Sequence, residues 1–125
     1  MLAMIKSKKT MVLGASANPA RYSYLAIKKL TAHQHPVVAI GKKNGKVGEV
    51  NIGTDHLPVS DVDTITLYLN PVNQQQYYDY ILNLKPKRII FNPGTENEYL
   101  IKRAKENDIE TVVGCTLVML SIGNY

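Results

Sequence analysis

The sequence predicts an α/β chain: a doubly wound, mostly parallel sheet of about five strands with helices on both faces. Three observations carry this. Short apolar, β-branched runs recur at residues 10–13, 36–40, 64–69, 88–91 and 110–113. Stretches with the apolar spacing of a helix lie between them. Residues 36–40 are apolar without a break, the pattern of a parallel strand covered on both sides.

In order, residues 10–13 form the first strand, which breaks at Gly14. A helix follows a short polar loop, with Tyr24, Ile27 and Leu30 in a stripe and Leu25 and Ala26 beside them. Lys28 and Lys29 in its last turn suit the helix dipole. The second strand, 36–40, runs into the basic turn Gly41-Lys42-Lys43-Asn44-Gly45. Residues 46–58 alternate weakly and carry several glycines, so they read as a loop with at most a short extended piece. Residues 64–69 are the third strand. Asn70-Pro71 opens a helix to about residue 84, with Tyr77, Tyr80, Ile81 and Leu84 on one face, and Pro86 stops it. The fourth strand, 88–91, leads to Asn92-Pro93-Gly94. Thr95-Glu96-Asn97-Glu98 has the form of a capping box, in which Thr95 caps the next helix and Glu98 reaches back, with Glu96 assisting. That helix turns Leu100, Ile101 and Ala104 inward. The fifth strand, 110–113, passes through Gly114-Cys115-Thr116 into an apolar tail over 117–122.

With 125 residues, 45% hydrophobic and 20% charged, the chain suits a single domain over 1–125, with residues 1–9 a loosely ordered lead-in. A run of ~18 apolar residues is lacking, which excludes a helical membrane span. The apolar opening is too short for a secretory h-region of about 7–15 residues. A single cysteine suits a reducing, cytoplasmic setting. The net charge of +5 admits nucleic acid, a membrane surface or a polyanionic small molecule. Its placement speaks against nucleic acid. Lys6, Lys8 and Lys9, then Lys28 and Lys29, then Lys85, Lys87 and Arg88 scatter around the predicted foot of the sheet, with no aromatic-interleaved basic strand.

Gly14, Ala15, Ser16, Asn18, Pro19, Arg21, Tyr22 and Ser23 make a strand-to-helix turn of phosphate-binding size. The dinucleotide fingerprint needs three glycines in Gly-x-Gly-x-x-Gly, and only Gly14 is present, with Ser16 and Pro19 at the other positions. An NAD site places an acid after the second strand to hold the ribose hydroxyls. Here Gly41, Lys42 and Lys43 stand there instead. Ammonium groups reward a phosphate on that ribose, which points to coenzyme A or, alternatively, NADP. The Asn-Pro pairs at 18–19, 70–71 and 92–93 each fall between a strand and a helix. Asn is a strong N-cap and Pro fits a first turn, so all three read as helix starts and, at the carboxyl ends of parallel strands, as pocket wall.

Taken together, Gly14-Ala15-Ser16-x-Asn18-Pro19 with Ser23, the basic turn after strand two, Asn92-Pro93-Gly94 and the closing Gly114-Cys115-Thr116-Leu117-Val118-Met119-Leu120 resemble the small stand-alone CoA-binding proteins. These are similar to the N-terminal CoA-binding domain of the succinyl-CoA synthetase α subunit. The resemblance covers roughly residues 10–120 and implies a Rossmann-like domain with coenzyme A across the strand ends. It further implies that Gly14, Ser16 and Asn18 hold the pyrophosphate and that Lys42 and Lys43 hold the 3′-phosphate or diphosphate region. Asn70, Pro71, Asn92, Pro93 and Gly94 would then line the rest. Many relatives carry Val-Asn-Pro after strand two, where this chain has Ile40-Gly41-Lys42.

Catalytic groups are not apparent. His33 and His35 flank the turn into strand two, at the far end of the sheet from the loop, and His56 lies in the irregular segment, so none suits a phosphoryl relay. Cys115 at the ligand end reads as a small buried hydrophobe more readily than as a thiol exchanging with the CoA sulfhydryl. Arg21 can pair with a phosphate or remain solvated. Tyr22 can stack on adenine, whereas Tyr24 belongs to the helical stripe. Metal-ligand spacing is absent. The expectation is therefore a cytoplasmic protein that binds coenzyme A or an acyl-CoA and neither nucleic acid nor membrane, with a homodimer through Tyr77, Tyr78 and the apolar tail as a further possibility. The alternatives are an NADP-binding oxidoreductase-like domain and a non-catalytic subunit of a CoA-ligase-type enzyme.

Overall fold

The computed structural model describes residues 7–125. Residues 1–6, which include Lys6 and most of the expected lead-in, lie outside the described residues. Of the remainder of that segment, Lys8 donates its main-chain N–H to His35 Nδ1, and Lys9 Nζ donates to the Ser60 carbonyl.

The elements run β1 (Thr10–Ala15), α1 (Tyr22–Ala32), β2 (Val37–Gly41), β3 (Gly45–Val47), β4 (Val50–Gly53), β5 (Thr64–Leu67), α2 (Pro71–Gln74), a 3₁₀ turn (Gln75–Tyr77) and α3 (Tyr78–Leu84). They continue with β6 (Arg88–Phe91), α4 (Glu98–Glu106), β7 (Glu110–Val113) and α5 (Thr116–Ile122). One seven-stranded sheet has the order β3-β4-β2-β1-β5-β6-β7. Only β3 and β4 pair antiparallel; every other neighbouring pair is parallel. The doubly wound, Rossmann-like architecture is as expected.

Two apolar clusters sandwich the sheet. Met11, Leu13, Ile65, Leu67, Ile89 and Phe91 face the 3₁₀ turn, α3 and α4, where Tyr77, Ile81, Leu100 and Ala104 meet them. Val12, Ala39 and Ile52 face the other way, onto Ile27 and Leu30 of α1 and Leu120 of α5. Alternate residues of β1 serve opposite faces, so the strand is buried throughout, and Met11, Val12 and Leu13 are all fully covered.

Several boundaries depart from the sequence expectation, each for a local reason. The additional strands are β3 and β4, inside the stretch read as a loop. Gly48, with φ +58, supplies the positive φ for their two-residue turn, and Val47 and Ile52 are buried against the sheet. The second helix is not continuous over 71–84, since the 3₁₀ turn interrupts it. The apolar tail after Thr116 is a helix, α5, closed by Gly123 at φ +77.

The expected capping box at Thr95 does not form. Asn97 caps α4 by accepting from the Leu100 N–H, while the Thr95 hydroxyl donates to the Asn92 carbonyl. Glu96 accepts from the Gly94 N–H. Of the Asn-Pro pairs, only Asn70-Pro71 starts a helix in the expected way: the Asn70 side chain accepts from Asn73 N–H with Pro71 in the first turn. α1 begins three residues after Pro19, with Arg21 as its N-cap, and Asn92 is buried in the sheet rim. Leu25 lies outside the α1 stripe and is exposed.

Candidate functional site

The chain leaves β1 toward β2 on one side and later returns to β5 on the other. The carboxyl end of β1 is therefore the topological switch point, where open α/β sheets take their ligands. Gly14 shapes this end. Its φ is +89, and a Cβ there would stand 2.9 Å from the Tyr68 carbonyl carbon and oxygen. The register between β1 and β2 shifts across it. Gly41 closes the other side, where a Cβ would fall 2.2 Å from the Ala15 carbonyl oxygen. No side chain fits at either position, so the ends of β2, β1 and β5 converge backbone to backbone.

Beyond Ala15 the chain folds on its own side chains. The Ser16 hydroxyl accepts from the Asn18 N–H, and Asn18 Oδ1 accepts from the Ala20 N–H, both at 3.0 Å. Asn18 also uses its carbonyl to hold the Arg21 N–H at 3.0 Å. These bonds turn the loop into α1 but leave the helix start open: Arg21 makes no side-chain cap, and the first turn has no acid. The first-turn N–H groups and the positive end of the dipole are thus available to an anion. Asn18, Pro19, Arg21 and Tyr22 are exposed around this opening, whereas Ser23 is buried in the first turn.

The basic turn after β2 lies beside the loop. A Cβ on Gly45 would come 3.0 Å from the Ala17 Cβ, so the turn between β2 and β3 leans on the β1–α1 loop. Lys42 and Lys43 are exposed at its tip and make no ion pair with any described residue.

On the other side of β1, the ends of β5 and β6 are held by buried polar side chains. Asn92, 2% exposed, donates to the Thr66 hydroxyl and the Leu67 carbonyl and accepts from the Thr116 N–H. Gln74, wholly buried, donates to the Leu69 and Thr95 carbonyls and accepts from Asn97, which also donates to the Tyr78 hydroxyl. Tyr68 borders the Thr66 and Thr116 hydroxyls, and burial pushes its own hydroxyl up to about 12, so it stays protonated. Asn70, Pro71, Pro93 and Gly94 remain exposed along the rim.

All the sequence-selected positions thus lie at the carboxyl end of the parallel strands, but in two kinds. Asn18, Pro19, Arg21, Tyr22, Lys42, Lys43, Asn70, Pro71, Pro93 and Gly94 present surface. Gly14, Ala15, Ser16, Ser23, Gly41 and Asn92 build the frame behind it. Thr66, Tyr68, Gln74 and Thr116 were not selected by sequence reasoning. A hint existed in Thr64-Ile65-Thr66-Leu67-Tyr68, where polar residues alternate within a strand that must be buried. Gln74 offers no such signal. Cys115 is half-buried beside this rim.

The rim presents Asn70, Pro71, Pro93 and Gly94 as an exposed ledge. Surface depressions of about 610 and 600 Å³ occur elsewhere, one along Ile101, Lys102 and Lys105 of α4 and one at the foot of the sheet near Lys9, Asp63 and Lys87. Neither joins glycine backbone to an open helix start, the combination that suits a phosphate. Among the described residues, no group of His, Cys, Asp and Glu is arranged to hold a metal. No described helix is long and apolar enough to cross a membrane.

Comparison with known proteins agrees with this geometry. A family model described as a CoA binding domain matches residues 8–121. No curated protein matches the chain. Among solved structures, it is similar to an uncharacterized protein at 52% identity and TM-score 0.94, over 96% of this chain and 99% of that one. It also matches a hypothetical protein from Pyrococcus horikoshii at 23% identity and TM-score 0.84, covering 94% and 84% of the two chains. A third, from Thermus thermophilus, is 17% identical with TM-score 0.83 over 95% and 91%. The last two likenesses concern the fold alone.

Proposed function

The chain belongs to the family of CoA-binding domains, and from that premise we propose that it is a cytoplasmic, single-domain binder of coenzyme A or an acyl-CoA with no catalytic machinery of its own. The diphosphate lies on the Gly14, Ala15, Ser16 and Asn18 backbone and the open start of α1, with Arg21 closing over it. Lys42 and Lys43 take the 3′-phosphate of the adenosine. The pantetheine arm passes along Asn70, Pro71, Pro93 and Gly94.

The observation that carries this reading is the pairing of an uncapped, acid-free helix start with a lysine turn leaning on the same loop. A diphosphate needs the first, because backbone N–H groups and the dipole accept spread negative charge. A ribose phosphate needs the second, because ammonium groups supply compact charges that a bare ribose does not use. Absence of an acid after β2 removes the group that would hold the hydroxyls of NAD.

Calorimetric titration with coenzyme A, dephospho-CoA, NADP and NAD tests the proposal. Coenzyme A should bind most tightly. Equal affinity for coenzyme A and dephospho-CoA would remove the role given to Lys42 and Lys43. Tighter binding of NADP would replace coenzyme A by the dinucleotide.

A further inference from the structure

We propose that His35, Lys8, Arg88 and Tyr125 form an acid-opened clasp at the foot of the sheet, which fastens the segment after α5 to the segment before β1. The clasp is independent of the coenzyme A reading and lies at the opposite end of the strands.

Tyr125 is held at its main chain, its hydroxyl and its ring. Its main-chain oxygen accepts from Lys8 Nζ at 2.5 Å, and its hydroxyl lies 2.5 Å from the Thr10 hydroxyl. Its ring sits 4.4 Å from the Arg88 guanidinium carbon and 4.8 Å from the His35 ring. His35 in turn accepts the Lys8 main-chain N–H on Nδ1 at 2.9 Å. An imidazole accepting at Nδ1 carries its proton on Nε2 and is neutral.

Arg88 makes a second charge here unwelcome. It is 8% exposed, its Nε donates to the Thr64 hydroxyl, and one terminal nitrogen is buried without a hydrogen-bond partner. It forms no ion pair with a described residue. Protonating His35 would turn the Nδ1 acceptor into a donor facing another donor. It would also place a cation beside Arg88, Lys8 and His33. Among the described groups around the ring, only Asp63, just before β5, favours the charged form, and the buried Tyr125 hydroxyl stays neutral.

Burial, then these cations, hold His35 below its ordinary 6.5 in the closed clasp. The sign follows. Above that value both states are neutral and the clasp is at full strength. As pH falls through 6.5, the open state with its solvated imidazole takes the proton first, so the closed state loses ground. α5 then keeps its tie at Thr116 and loses the one at Tyr125.

Hydrogen exchange on the full chain at pH 7.5 and 5.5, each rate corrected for its intrinsic value, reads the clasp at the Met119, Leu120 and Asn124 amides. Their protection should fall at least about fivefold at the lower pH. In His35→Gln, whose amide oxygen accepts from Lys8 without titrating, it should change by less than about twofold. Unchanged protection in the natural chain, or an equal fall in the variant, overturns the proposal. Should the variant not fold, the imidazole titration of the natural chain decides. A midpoint below the ordinary value that moves with the Tyr125 ring signals supports the clasp, and a midpoint at or above it refutes the clasp.

Discussion

The main-chain N–H of Thr116 donates to the Asn92 side-chain oxygen at 2.9 Å, and the Thr116 hydroxyl meets that of Thr66 at 2.8 Å. One amide thereby ties β5, β6 and α5 together where the chain turns from sheet to ledge, and it does so while buried.

Asn92→Leu should therefore destabilise strongly. It removes both donors to Thr66 and Leu67 and leaves the Thr116 N–H buried without a partner. A loss of about 3 kcal/mol is expected, read as a lower urea midpoint at unchanged slope. A loss under about 1 kcal/mol would mean that water replaces the amide.

Gly41→Ala and Gly53→Ala should differ sharply although both glycines end strands. A methyl at Gly41 meets the Ala15 carbonyl oxygen at 2.2 Å, and backbone must move to admit it. A methyl at Gly53 meets nothing within 4 Å. The first substitution should cost about 3 kcal/mol and the second less than about 0.5 kcal/mol in denaturant unfolding. Similar losses for both would show that the β1–β2 approach yields easily.

Replacing Lys42 and Lys43 together by Ala should weaken coenzyme A by about tenfold and dephospho-CoA by less than about threefold, measured by calorimetry. The salt dependence of coenzyme A binding should shrink in the double variant. Equal losses for both ligands would assign these lysines to the diphosphate instead.

The tyrosines predict an alkaline limit. Burial raises Tyr68 from 10.0 to about 12 and moves Tyr77, Tyr80 and Tyr125 upward as well. A raised acid keeps its proton longer in the folded chain than in the unfolded one. The stabilisation is complete below 10.0 and is lost for Tyr68 as pH rises from there toward about 12. Absorbance titration at 295 nm should show a late group of tyrosines that ionise as the chain unfolds. Tyr68→Phe should remove one of them; a natural chain whose tyrosines all ionise in one step near the ordinary value contradicts the burial argument.

The cap of α4 offers a sharper test of local structure. Asn97→Ala removes the acceptor for Leu100 N–H and the donor to Gln74 and Tyr78, and should cost about 2 kcal/mol. Glu98→Ala should change stability by less than about 0.5 kcal/mol, since Thr95 and Glu98 do not form the reciprocal box. A loss above about 1 kcal/mol in Glu98→Ala would restore the capping box.

Much of this structure is legible along the chain because local patterns and tertiary demands agree. The apolar runs at 10–13 and 88–91 are strands because β-branched residues covered on both faces have few other places to go. The same agreement located the ledge: helices alternating with parallel strands put every strand end on one side, and Gly14 and Gly41 mark where backbones approach. The hairpin β3–β4 was missed because Val47, Val50 and Ile52 are too few to show a period, and only contact with β2 makes them a strand. The Thr95 box was misread because its residues match the motif, yet the Thr95 hydroxyl is taken by the Asn92 carbonyl.

By itself the sequence determined the alternating order of strands and helices, and the chemistry of the ledge: one glycine-led loop, and lysines where an acid would select NAD. Those properties reside in residue type and short-range spacing. Only the tertiary structure decided which polar residues present surface at the ledge and which hold the frame behind it. Asn18, Asn70 and Asn92 share the same Asn-Pro context. Yet Asn92 is buried because β5, β6 and α5 close around it, and a buried amide must spend its hydrogen bonds on the protein. Packing, which brings together residues distant in the chain, separates the third asparagine from the other two.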